Sequence, residues 1–182
     1  SWSGSDALRT FRNSRELSSF SVSLGTSPSD TDVVDWINAG NANIYEFTGL
    51  SMEESVTYFA NVKAHDLAGN ESEVISGDGI TIDQSGPVPG SLDDGDGVDL
   101  DWVNVNYLSL GNWTGFYDSL SGIANYEYSL GLSPGNTQAV SWTSAGLDTS
   151  ITVSASLTEG PTYYANVRAI DHVLNVGEIV SS

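Results

Sequence analysis

Thr57-Tyr-Phe-Ala-Asn-Val-Lys-Ala-His-Asp66 and Thr162-Tyr-Tyr-Ala-Asn-Val-Arg-Ala-Ile-Asp171 are one ten-residue stretch written twice, 105 residues apart. Apolar residues fall at every second position, the period of a half-buried β-strand. The pattern predicts that Tyr58, Ala60, Val62 and Ala64 face inward and that Phe59, Asn61, Lys63 and His65 face outward. In the second stretch Tyr163, Ala165, Val167 and Ala169 take the inward places. A match this long signals an internal duplication, and duplication is the first thing to settle about a fold.

A second pair of blocks extends the repeat. Val22-Ser-Leu-Gly25, Ser27-Pro28 and Trp36 recur as Tyr128-Ser-Leu-Gly131, Ser133-Pro134 and Trp142, each pair 106 residues apart. Phe20, Val22 and Leu24 share one face of a strand, as do Tyr126, Tyr128 and Leu130, and Gly/Ser/Pro turns follow both. No stretch sustains a helical period, and Ser51 to Ser55 is long enough for one turn at most. The class is all-β, in two copies, with the boundary expected near Gly86: residues 1–86 and 87–182.

Gln84-Ser-Gly-Pro-Val-Pro-Gly-Ser91 lies between the copies and reads as a short, semi-rigid hinge. Trp2 to Asp6 aligns with Trp113 to Asp118, so the first copy is expected to lack its N-terminal strands. Residues 79–83 read as a last strand of which the second copy has little. Continuation of the chain, or strands from an identical subunit, is the expectation at both places.

In the second copy, Leu157-Thr-Glu-Gly-Pro-Thr-Tyr163-Tyr-Ala-Asn-Val167-Arg-Ala169 resembles the fibronectin type III pattern. There a leucine precedes a corner tyrosine by six residues, and Val and Ala follow it. Trp113, ahead of the strand at Tyr126, matches that family's core tryptophan. The resemblance implies tandem Ig-like β-sandwiches of the kind that recur in large secreted or surface proteins of bacteria, and it implies almost nothing about activity. In the first copy Leu50 stands eight residues before Tyr58, which predicts a corner loop longer by two residues.

Five Lys and Arg stand against twenty-four Asp and Glu, a formal net charge of -19. Such a surface repels phosphate backbones and anionic bilayers, so nucleic acid is not an expected partner. With 39% apolar residues the chain nonetheless has material for a core. It has no cysteine, hence no disulfide, thiolate nucleophile or Cys-bound zinc. No apolar run approaches the length of a membrane span.

Four groups of residues are candidates for chemistry. Asp94, Asp96, Asp99 and Asp101 alternate with glycine in the manner of a Ca²⁺ loop, although Leu92 occupies the usual first aspartate and no bidentate Glu follows. The competing reading is a solvated acidic turn leading into a strand that carries Trp102. Trp36 and Trp142 are candidates for stacking on a sugar, or for serving the shared fold. Arg9, Arg12 and Arg15 are three of the five basic residues and are candidate partner contacts. Asp66-Leu-Ala-Gly-Asn70 and Asp171-His-Val-Leu-Asn175 close the repeated strands as turns, with a metal role for Asp66 and Asn70 as the competing reading.

His65 and His172 have no nucleophile at recognisable spacing, and neither HExxH nor GxSxG occurs. The expectation is a non-catalytic extracellular module: a stalk, spacer or fibre segment, with Ca²⁺ as an optional ion and neighbouring repeats or identical subunits as partners. The alternatives are a carbohydrate-binding module attached to a secreted polysaccharide-degrading enzyme, with glycans as partners, and a strand-exchanging filament subunit.

Overall fold

The computed structural model describes residues 17–95, 99–104 and 107–182, and for 107–111 the backbone. Two compact units are present, residues 1–82 and 83–182, both all-β and antiparallel with no helix among the described residues.

The first unit contains β1 (Leu17–Gly25), β2 (Val34–Gly40), β3 (Thr57–Asp66), β4 (Ile75–Ser76) and β5 (Ile80–Thr81). Its sheet runs β2-β1-β3-β4, and β5 pairs with the start of β3. The repeated ten-residue stretch is β3. Phe20, Val22, Leu24, Tyr58 and Ala64 are buried, as the alternation predicts. Two members depart from it: Ala60 is exposed, and Asn61, expected outside, is buried at 2% exposure.

The second unit contains β6 (Ser91–Leu92), β7 (Tyr107–Gly111), β8 (Trp113–Thr114), β9 (Ile123–Gly131), β10 (Val140–Gly146), β11 (Ser150–Ser154), β12 (Tyr164–Asp171) and β13 (Val180–Ser181). β10-β9-β12-β13 repeats the order of the first unit, while β11-β7 and β6-β8 form two further sheets. Leu92, Trp113, Tyr126, Tyr128, Leu130, Val153, Ala165, Val167 and Ala169, drawn from all three sheets, form one core. Trp113 is its largest buried side chain and meets the Tyr126 ring edge-on at 5.8 Å, with Phe116 on the same tyrosine at 5.5 Å.

The stretch expected to be a hinge is instead sewn into the second unit. Val88 N–H donates to Tyr117 O at 2.7 Å and Tyr117 N–H donates back to Val88 O at 3.2 Å, so residues 87–91 lie along the unit's surface as an edge. Gly90 passes so close to the Thr114 carbonyl that a Cβ there meets it, which explains a glycine at this point. Residues 83–86 belong to the same unit, because Asn175 Nδ2 donates to the carbonyls of Asp83 and Ser85, both at 3.2 Å.

The corner preceding the repeated strand has the same size in both units. Tyr58 Oη accepts from Glu53 N–H at 2.9 Å and Tyr163 Oη accepts from Thr158 N–H at 3.0 Å, each reaching five residues back. The two extra residues of the first copy therefore lie ahead of Glu53, and Met52 stands where Leu157 stands, six residues before the tyrosine. Ser51 to Ser55 makes a turn at Glu54 and Ser55 and no helix.

Candidate functional site

Asn61 and Asn166 are polar residues that the alternation misplaces, as are Ser23 and Ser129, paired with them on the neighbouring strands. Each asparagine sits on β3 or β12, is buried, and fastens the loop after the neighbouring strand. Asn166 Nδ2 donates to Ser129 Oγ at 3.1 Å and to Asn136 O at 2.9 Å. Its Oδ1 accepts from Gly135 N–H at 2.7 Å and Ser181 Oγ at 2.6 Å. Asn61 repeats the set with Ser23 Oγ at 3.2 Å, Asp30 O at 2.7 Å, Ser29 N–H at 2.9 Å and Ser76 Oγ at 2.7 Å. One amide thereby joins three segments of chain in each unit and leaves both its nitrogen and its oxygen satisfied. The recurring Ser-Pro turns at Ser27 and Ser133 belong to the loops it holds. A polar residue occupying the same place in both copies was the signal available in the sequence.

Trp36 and Trp142 are half-buried on the face of the sheet that carries Lys63 and Arg168. Lys63 Nζ lies 4.6 Å from the centroid of Trp36, and the Arg168 guanidinium lies 4.4 Å from that of Trp142. Each cation is also paired: Lys63 Nζ with Glu71 at 2.8 Å, and Arg168 with Glu127 through Nε at 2.8 Å and Nη2 at 2.7 Å. Both tryptophans thus have a cation over a ring face. On the same face, His65 Nε2 lies 2.7 Å from Ser21 Oγ.

The acidic run places Asp94, Asp99 and Asp101 near one another, while Asp96 lies outside the described residues. Asp94 Oδ1 accepts from Leu100 N–H at 2.9 Å. A shared hydrogen bond with Asp94, then the Asp94 charge, partial desolvation and the charges of Asp101 and Asp93, hold the pKa of the Asp99 carboxyl above its ordinary value. The strand expected at Trp102 does not form, and the residue is 91% exposed. Arg9, Arg12 and Arg15 also lie outside the described residues.

A different set of carboxylates converges in the second unit. Asp83, Asp118 and Asp171 each bring an oxygen to within 4.8 Å of the other two, with Asp171 fully buried. Each carboxylate has a nearby donor. Leu120 and Gly122 N–H donate to Asp118 Oδ1, at 3.1 and 2.7 Å. Ser121 N–H donates to Asp83 Oδ2 at 3.1 Å. Val173 and Asn175 N–H donate to Asp171 Oδ1 at 2.9 and 2.8 Å, and Asn175 Nδ2 donates to its Oδ2 at 2.8 Å. The last set is the Asp-to-Asn turn, built identically by Asp66 and Asn70 in the first unit. Asp83, Asp118 and Asp171 are far apart in sequence, and nothing in their spacing announces the convergence.

No family model matches this chain, and no curated protein matches it. Among solved structures it is similar to the alpha-L-rhamnosidase from Dictyoglumus thermophilum, at a TM-score of 0.29 and 14% identity. That alignment covers 92% of this chain and 25% of the rhamnosidase, so the chain spans about a quarter of that protein's length. A likeness of this size establishes neither a shared fold nor a shared activity.

Proposed function

We propose that the chain is a non-catalytic structural or adhesive segment of a secreted or surface protein: two tandem fibronectin type III-like modules acting as a stalk, spacer or fibre element. The observation carrying this reading is that the unusual polar and aromatic side chains recur in both units and are engaged in internal bonds in both. Asn61 and Asn166 clamp loops, Tyr58 and Tyr163 tie corners, Asp66 and Asp171 close turns, and Trp36 and Trp142 support a cation. A side chain kept for the shared architecture is expected in every copy of a repeat.

A glycan array probed with the whole chain, together with Trp36→Ala and Trp142→Ala, tests the proposal against its carbohydrate-binding alternative. The expected result is no saturable binding and a lower melting temperature in both variants. Saturable glycan binding that either substitution removes, with the fold retained by circular dichroism, overturns the structural reading. Calcium at the acidic run reduces to a similar measurement. A rise in melting temperature with Ca²⁺ but not Mg²⁺, absent in Asp99→Asn, supports it, and a flat response removes it.

A further inference from the structure

Ser21, His65 and Glu71 meet on the face of the first sheet that carries Lys63, and the shared architecture does not call for them. Ser21 Oγ lies 2.7 Å from His65 Nε2, and His65 Nδ1, across the ring, lies 3.6 Å from Glu71 Oε1. Lys63 Nζ, 2.8 Å from the other carboxylate oxygen, holds the Glu71 carboxyl below its ordinary pKa and so keeps it ionised. The backbone frame is the same in both units. His65 bridges Glu71 as Ile170 bridges Val176, and Ser21 pairs with Lys63 as Glu127 pairs with Arg168. Only the side chains differ: Glu127, Ile170 and Val176 fill the three places in the second unit. A side chain that the fold requires is expected in both copies, and these three stand in one copy of a frame that both possess.

We propose that Ser21 is a reactive hydroxyl that takes a small acyl group from an activated ester or thioester, with His65 as general base and Glu71 as the group that supports the imidazole. Oγ attacks the acyl carbon while its proton passes to Nε2. A new ester bond forms at Ser21, the bond to the leaving oxygen or sulfur breaks, and that group takes up the proton. Beside Nδ1, the Glu71 carboxylate favours the tautomer whose Nε2 lone pair faces Ser21, and it stabilises the imidazolium that forms. Base assistance of this kind is worth about 10²–10⁴-fold, enough for a donor with a good leaving group and far short of what an amide needs. Ser21 is 7% exposed and the His65 side chain 21%, which favours a small acyl group over a bulky one. A single acylation consumes the serine and is not turnover, so the proposal goes beyond the stalk reading without depending on it.

The probe is p-nitrophenyl acetate, added to the whole unaltered chain and followed by nitrophenolate release and by peptide mapping of the acetyl group. One acetyl group per chain is expected on Ser21, at a rate that rises with pH as His65 gives up its proton. Ser23 and Ser129, whose hydroxyls lie beside an asparagine amide and not an imidazole, are expected to stay unmodified and serve as controls within the same sample. His65→Gln is expected to slow acetylation of Ser21 by about 100-fold or more. Glu71→Gln, at an exposed position, is expected to slow it by less. Acetyl on Lys63 or the other serines and not on Ser21 overturns the proposal, and this arm needs no variant to fold. An undiminished rate at Ser21 in His65→Gln, with the fold retained by circular dichroism, overturns it equally.

Discussion

Leu174 holds φ at 74°, in the left-handed region that a side chain with a Cβ adopts at a cost, while Gly69 holds the equivalent place at 88°. The same exchange occurs twice in the other direction: Ser29 at 68° against Gly135 at 77°, and Ser55 at 65° against Gly160 at 108°. Each copy therefore shows what the other's turn prefers. Leu174→Gly, whose side chain is exposed, is expected to stabilise the second unit by roughly 0.5–1 kcal/mol, the relief of strain being partly offset by the greater freedom of glycine in the unfolded chain. Gly69→Leu is expected to destabilise the first unit by a similar amount, and urea denaturation of the two variants reads both. Asn166 is the opposite case, since its side chain has no substitute. Asn166→Ala strands Ser129, Gly135 and Ser181 groups in a buried place and is expected to cost about 2–4 kcal/mol. Urea unfolding of Asn166→Ala beside Ser156→Ala, whose side chain is exposed, separates this effect from general fragility.

At the scale of elements, the strands were legible because period-two alternation and duplication reinforce one another. Phe20, Val22 and Leu24, and Tyr126, Tyr128 and Leu130, lie buried as read. Asn166 was not legible, because alternation assigns a strand two faces and only one core. Here the Ser-Pro loop folds over the second face and buries it. The Asp83, Asp118 and Asp171 grouping depended on loops whose approach no local pattern encodes, whereas the Pro/Gly stretch misled because its backbone finds a partner at Tyr117. The acidic run gives this scale its own prediction. Asp99 binds a proton more readily in the folded chain than at its ordinary value of 3.8, so protonation favours the folded state. Its contribution is greatest below that value and is lost as pH rises through the raised one. Asp99→Asn is expected to flatten this part of the profile, seen as a smaller loss of melting temperature between about pH 4 and pH 7 than in the parent. An unchanged slope would mean that Asp94 and Asp101 exert no repulsion on it.

The whole molecule carries a formal charge of -19, and its five basic residues can neutralise little of it. Among the described residues, Lys63 and Arg168 are each committed to a single carboxylate and a tryptophan, so their charge is spent locally. What remains is a large excess of carboxylates, and the self-repulsion of such a net charge opposes the compact state over distances set by the Debye length. At about 10 mM salt that length is about 30 Å and falls to about 8 Å at 0.15 M, so most of the repulsion is screened within the physiological range. Raising NaCl from 10 to 150 mM is therefore expected to raise the melting temperature of the whole chain by several degrees, with little further gain until salt begins to act through the hydrophobic effect. KCl is expected to match NaCl, because screening depends on ionic strength and not on which monovalent cation supplies it. The surface ion pairs push the other way, since salt weakens Lys63–Glu71 and Arg168–Glu127, but solvent-accessible pairs of this kind add little net stability. Two such pairs cannot outweigh the summed repulsion of a surface this acidic. A melting temperature that falls on adding salt would mean that specific pairs, and not net charge, dominate the electrostatics of this protein.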